Sequence, residues 1–154
     1  MTNGHNEIND VAPTSLRHLI GNEAVKAQVS VALESAFADN RKFDSSLLVG
    51  PPGLGKSALA TVISHEMGMA EQFTEVLGQA VTGIGDLNAL LLAANEKSVL
   101  HIDEAHELDK QLQTALYLAL DKRCVFANTG KSGKPQPIPI ADFTLLLSTT
   151  DEFC

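Results

Sequence analysis

Gly50-Pro51-Pro52-Gly53-Leu54-Gly55-Lys56-Ser57 fits G-x-x-x-x-G-K-[ST], a pattern that wraps backbone around phosphate. Glycines let the chain close on anionic oxygens and turn several N–H groups inward, and the helix expected after Gly55 offers its positive dipole end to the same anion. Lys56 would bridge the β and γ phosphates of a nucleoside triphosphate. Ser57 would supply a hydroxyl to the accompanying Mg2+, an ion that takes hard oxygen ligands in an octahedral shell. The candidate nucleotide-binding residues are therefore Gly50, Pro51, Pro52, Gly53, Leu54, Gly55, Lys56 and Ser57, with Ala58 behind them. A Gly/Pro turn with an accidental Lys-Ser is the plain alternative, and the flanking apolar strand and helical period argue against it.

Val99-Leu100-His101-Ile102-Asp103-Glu104 is an apolar run that ends in two adjacent acids. Asp103 can orient the magnesium shell, while Glu104, pointing elsewhere, can polarise an attacking water. A solvated helix start, where acids are favourable in any protein, is the alternative. The glycine loop upstream tips the reading towards catalysis. His101, Asp103 and His106 also place two imidazoles and a carboxylate within six residues. His106 falls past the strand end and nothing supplies a fourth ligand, so a transition-metal site is not expected. Packed or surface positions are expected for His101 and His106, as for His5, His18 and His65.

These groups need elements to position them. Asn22 as N-cap, with Val25, Val29, Leu33 and Ala36 at spacings of three and four, predicts a helix ending near Asp39-Asn40. Ser46–Val49 predicts a short buried strand feeding the glycine loop, and Leu59, Ile63 and Met67 mark the helix that follows. Next come a strand at Phe73–Leu77, a helix at Asp86–Ala94 capped by Asp86, and a strand at Ser98–Asp103. Asp109 is expected to cap a helix with Leu112, Leu116 and Leu120 on its apolar stripe and Tyr117 beside them, before a strand at Phe143–Ser148. Cys124–Ile140 holds Asn128-Thr129-Gly130, Ser132-Gly133 and three prolines, and reads as a hairpin with a polar, lysine-bearing tip. Strands alternating with helices imply a parallel, doubly wound α/β sheet.

The chain has 154 residues, enough for one domain that buries roughly 70% of the surface its unfolded form exposes. Apolar residues at 44% and charged residues at 19% exclude disorder as the main state. A net charge of -8 repels phosphate on average, so any nucleic-acid contact must be local. Cys124 and Cys154 are too few for a disulfide framework and read as free thiols in a reducing cytoplasm. Residues 1–12 read as a flexible tail without the regions of a signal peptide, and residues 13–154 as the folded part. No apolar run approaches the roughly 20 residues needed to cross a bilayer, so a cytoplasmic protein without a membrane partner is expected.

With those motifs in order, the chain resembles the N-terminal AAA+ ATPase domain of the RuvB family, bacterial motors that migrate Holliday junctions. The resemblance covers about residues 13 to 150. It rests on HLIGNEAVKAQ at His18–Gln28, GPPGLGKS at Gly50–Ser57, GDLNALL at Gly85–Leu91, VLHIDEAHEL at Val99–Leu108 and FTLLLSTT at Phe143–Thr150. The resemblance implies a P-loop NTPase fold, a three-layer sandwich around a parallel sheet, with ATP and Mg2+ as cofactors. It implies ATP hydrolysis in a branch-migration DNA helicase that assembles as a homo-oligomer, a hexameric ring in the family. By the same likeness Ile20 and Gly21 line the adenine site, and Thr150 is the sensor-1 polar residue that reads the γ phosphate. Lys56, Glu104 and Thr150 are then the catalytic candidates, and Ser57 and Asp103 the metal-binding ones. Strand parity agrees, because Thr144, Leu146, Ser148 and Thr150 alternate to one side.

The chain departs from the family in several places. Ala12-Pro13 stands where RuvB-like sequences have Arg-Pro, and Asp151 where they have Arg after the sensor threonines, so a positive contact is lost in each place. The family's hairpin is apolar where it docks the RuvA partner, whereas Asn128–Gln136 here is polar. The chain stops at Cys154, before the family's fifth sheet strand, arginine finger, helical lid and DNA-binding winged helix. A fragment, or a chain that completes its sheet edge by oligomerising, is therefore expected, with DNA and a RuvA-like partner reached only through the complete protein. The missing strand would lie beside the first, leaving Ser46–Val49 as an exposed apolar edge. Hydrolysis by this segment alone should be weak, since an arginine finger is worth roughly 10³ to 10⁵ in rate. Two other readings stand beside this one. The first is a switch or assembly subunit that binds ATP without turning it over. The second is a DEAH-box helicase built on Asp103-Glu104-Ala105-His106 with Ser148-Thr149-Thr150, which the spacing and GPPGLGKS argue against.

Overall fold

The structure, a computed structural model, describes residues 23–50, 56–68, 70–128 and 133–150. In chain order its elements are α1 (Glu23–Ala38), β1 (Ser46–Val49), α2 (Lys56–Glu66), β2 (Phe73–Leu77), α3 (Ile84–Ala93), β3 (Val99–Asp103), α4 (Lys110–Lys122), β4 (Cys124–Ala127), β5 (Gln136–Pro139) and β6 (Thr144–Thr149). α1 turns Val29, Leu33 and Ala36 inward, as their spacing predicts. Asn22, the 1–12 tail and Cys154 lie outside the described residues.

Four strands pair in parallel in the order β1-β6-β3-β2. Successive side chains on a strand point to opposite faces, so each strand serves two cores. One face carries Leu48, Phe73, Val99 and Leu146 against Val29, Leu33, Leu59 and Ile63 of α1 and α2. The other carries Leu100, Ile102, Leu145 and Leu147 against Leu87 and Leu91 of α3 and Leu112 and Leu116 of α4. Burial on both faces is why β3 and β6 read as continuous apolar runs rather than alternating ones. The result is the three-layer α/β sandwich of a P-loop NTPase.

Side chains just before β1 and at the start of β6 anchor the two strands to each other. Lys42 Nζ donates to the Phe143 carbonyl at 3.0 Å, Thr144 Oγ1 donates to the Phe43 carbonyl at 2.8 Å, and Ser45 Oγ accepts from the Leu145 N–H at 2.9 Å. These bonds support a register that sets Val49 opposite Thr149. On its other side β1 is an edge among the described residues, with Leu47 and Val49 45% and 47% exposed.

One helix start and one capping bond differ from the sequence reading. α3 begins at Ile84 with Gly83 as N-cap, not with Asp86. Asp86 Oδ2 instead accepts from the Thr82 backbone N–H at 3.2 Å and from Thr82 Oγ1 at 2.9 Å. An acid at the third helical position can reach back to a donor ahead of the helix; here the donor is the residue before the N-cap, and the glycine N-cap has no side chain to return the bond as a full capping box would. Asp109 does occupy the N-cap of α4, but its side chain makes no capping hydrogen bond. β4 and β5 form the expected antiparallel hairpin, pairing Cys124 with Pro139. Its tip, 129–132, lies outside the described residues, and Cys124 is a free thiol. Among the described residues no helix is long and apolar enough to cross a membrane.

Candidate functional site

Parallel strands bring their carboxyl ends to one edge of the sheet, and ligands of such sheets bind just beyond that edge. Here β1, β6 and β3 are neighbours and end at Val49, Thr149 and Asp103. The Gly50 N–H donates to the Thr149 carbonyl at 3.2 Å, carrying the ladder one residue past β1. Lys56, the first residue of α2, donates from Nζ to the Gly50 carbonyl at 2.6 Å and so ties the helix start back to the strand end.

Ser57 Oγ donates to Asp103 Oδ2 at 3.0 Å across 46 positions of sequence. Asp103 Oδ1 accepts from Ser148 Oγ at 2.8 Å and from the Glu104 N–H at 2.9 Å. Burial pushes the Asp103 carboxyl up, but hydrogen bonds from Ser148, Ser57 and the Glu104 amide, with the charge of His101, outweigh it and hold the group below the ordinary carboxylate range. A carboxylate and a hydroxyl side by side are hard oxygen donors, the chemistry a Mg2+ ion takes while keeping water and phosphate in its remaining positions. Among the described residues no group of three or more His, Cys, Asp or Glu could hold a metal ion by itself.

Glu104 leaves β3 in the left-handed region, at φ 51°. That conformation is uncommon outside glycine, and here it separates two adjacent acids: Asp103 stays bonded within the site while the Glu104 residue is exposed. The turn is closely backed. A Cβ at Gly78 would lie 2.4 Å from the Glu104 carbonyl oxygen, so glycine alone lets the end of β2 approach here. A turn of 3-10 helix at Ala105–Glu107 then sets His106 Nδ1 2.8 Å from Thr149 Oγ1.

Of the residues singled out by the sequence, Gly50, Lys56, Ser57 and Asp103 are joined by these contacts. Ala58 follows Ser57 in α2, Glu104 follows Asp103, and Thr150 follows β6, half-buried. Ile20, Gly21, Pro51, Pro52, Gly53, Leu54 and Gly55 lie outside the described residues. Residue types and spacing did not single out Ser148 and Thr149 for these contacts, nor Glu75. His101 is packed as expected, fully buried, but its ring meets Glu75 Oε2 at 2.8 Å through Nδ1 and Ser148 Oγ at 2.7 Å through Nε2. The available signal was parity, since His101 and Asp103 share one face of β3.

The family model for the Holliday junction DNA helicase RuvB P-loop domain matches residues 11–153. Curated RuvB subunits of the Holliday junction branch migration complex from Koribacter versatilis and Nocardioides sp. are 40% and 39% identical over 140 residues. Those matches cover 90% of this chain and 38% of each relative. A variant of Thermotoga maritima RuvB has a TM-score of 0.78 at 36% identity, covering 91% of this chain and 43% of that one. The chain therefore spans less than half the length of these relatives. Matched over nearly all of its own length in both sequence and fold, it belongs to the family of RuvB P-loop domains.

Proposed function

We propose that this chain binds and hydrolyses ATP with Mg2+, as the AAA+ module of a Holliday junction branch-migration motor. The observation that carries this reading is the meeting of Ser57 with Asp103, which brings the end of the glycine loop to the acids of β3. In this reading the Gly50–Gly55 amides and the Lys56 ammonium bind the phosphates, with Ala58 behind them and Ile20 and Gly21 beside the adenine. Ser57 and Asp103 hold the Mg2+, which when bound offsets the charge of the phosphate oxygens. Glu104 orients water and accepts its proton, and Thr150 contacts the γ phosphate. Residues 13–154 form the large ATPase subdomain, acting in the cytoplasm within a homo-oligomeric ring. DNA and a RuvA-like partner are engaged through the complete protein, and turnover by this segment alone is weak.

Equilibrium titration with fluorescent mant-ATP tests the reading. The wild-type chain should bind saturably in Mg2+, and Lys56→Ala should weaken binding at least about tenfold by removing a charge-assisted contact. A wild-type chain that binds no nucleotide sinks the proposal. Binding without any phosphate release would favour a nucleotide-dependent switch over an ATPase.

A further inference from the structure

Glu75 of β2, His101 of β3, Ser148 of β6, Asp103 of β3 and Ser57 of α2 form one continuous hydrogen-bonded line. Its successive links measure 2.8, 2.7, 2.8 and 3.0 Å. The strand register builds it. Glu75 lies opposite His101, and His101 opposite Leu146, two residues before Ser148, so all of these side chains fall on the α1/α2 face. Phe73 stacks on the His101 ring with centroids 6.3 Å apart and planes 18° apart, which restrains the imidazole. His101 and Ser148 are fully buried, while the Glu75 side chain is 42% exposed at the outer end.

Hydrogen counting gives the line a direction. Ser148 has one hydroxyl hydrogen and donates it to Asp103 Oδ1. Its oxygen then accepts from the His101 Nε2–H, and the Glu75 carboxylate, which can only accept, takes the Nδ1–H on the opposite side of the ring. Without the histidine, the serine hydroxyl could rotate to another acceptor. Without the serine, the carboxylate would turn more freely, because the final torsion of an aspartate is broad and roughly two-fold.

We propose that Glu75, His101 and Ser148 are positioning residues that hold Asp103 in the rotamer presenting Oδ2 beside Ser57, presetting the pair for a divalent cation. The proposal rests on the reading of this site as one for Mg2+ and ATP. Partners one bond behind a metal ligand fix its orientation, and losing one typically costs about 10- to 100-fold in metal affinity. Asp103 carries such partners on one oxygen and faces Ser57 with the other.

Mg2+ titration of mant-ATP binding to the full chain tests this, with binding in EDTA as the metal-free reference. Ser148→Ala should raise the half-saturating Mg2+ concentration about 10- to 100-fold and leave binding in EDTA unchanged. Ser148→Thr, which keeps the hydroxyl, should restore most of that loss. Glu75→Gln, at the exposed end of the line, should shift the Mg2+ requirement several-fold in the same direction and keeps the test readable should Ser148→Ala unfold. A folded Ser148→Ala with the wild-type Mg2+ requirement overturns the proposal, as do equal losses in the Ala and Thr variants. A wild-type chain that binds mant-ATP with no response to Mg2+ overturns the reading of the site and the positioning role together. One that responds to Mg2+ while all three variants match it overturns the positioning role alone.

Discussion

Ser57 Oγ lies 3.0 Å from Asp103 Oδ2, joining the first turn of α2 to the last residue of β3. Neither residue's immediate neighbours in the chain produce this contact. It follows from β3 lying one strand away from β1 in the sheet, with β6 between them, and from α2 starting where the loop after β1 ends. The carboxylate that results is bonded on both oxygens while the Glu104 residue beside it is exposed. One short turn thus supplies two acids in two different environments.

The bonds converging on Asp103 give the fold a pH signature. Its folded pKa is depressed, so between that value and the ordinary carboxylate value of about 3.9 the unfolded chain binds more protons than the folded one. The stability these bonds contribute is complete above the ordinary value and is lost as pH falls through the folded one. Urea melts of wild type and Asp103→Asn between about pH 6 and about pH 3 should show a stability gap that narrows on acidification. A gap that widens would contradict the assignment.

Glu104→Gln keeps the side-chain size and removes the basic carboxylate. Phosphate release from ATP, followed with malachite green, should fall by roughly 10²-fold or more, the usual contribution of a positioned general base. Mant-ATP affinity should stay at the wild-type value. Equal turnover in the two proteins would remove Glu104 from the proposed catalytic role.

Gly78 and Gly85 should respond oppositely to alanine. A Cβ at Gly78 meets the Glu104 carbonyl at 2.4 Å, so Gly78→Ala should destabilise by about 1–3 kcal/mol in chemical denaturation. Around Gly85, in the first turn of α3, a Cβ meets nothing within 4 Å. Gly85→Ala should therefore match the wild type or gain up to about 1 kcal/mol from helix propensity.

β1 presents Leu47 and Val49 at a sheet edge, 45% and 47% exposed. Unpaired edges template association, and a lysine on the edge opposes it. Leu47→Lys should lower self-association in light scattering and leave the far-ultraviolet circular dichroism unchanged. A soluble wild-type chain whose association is indifferent to this change would show that the edge is not the contact surface.

Several of the elements are legible in the sequence alone. Ser46–Val49 and Phe73–Leu77 were readable as strands because an apolar run bounded by turn residues carries its own signal. The hairpin flanks and the buried face of α1 follow from the same short-range logic. The cap of α3 is not legible in the sequence, because Asp86 finds its partner in Thr82 only once Gly83 has set where the helix begins. Ser148 and His101 carried still less local signal. The bond between them and the bond from Ser148 to Asp103 span 47 and 45 positions and exist only in the β3-β6 register. Sequence by itself determined the glycine-rich pattern before α2 and the pair of adjacent acids at the end of β3, since those depend on neighbours a few bonds away. Which side chains meet Asp103 was decided by the tertiary structure, because only strand pairing and the packing of α2 bring residues that distant within reach of a hydrogen bond.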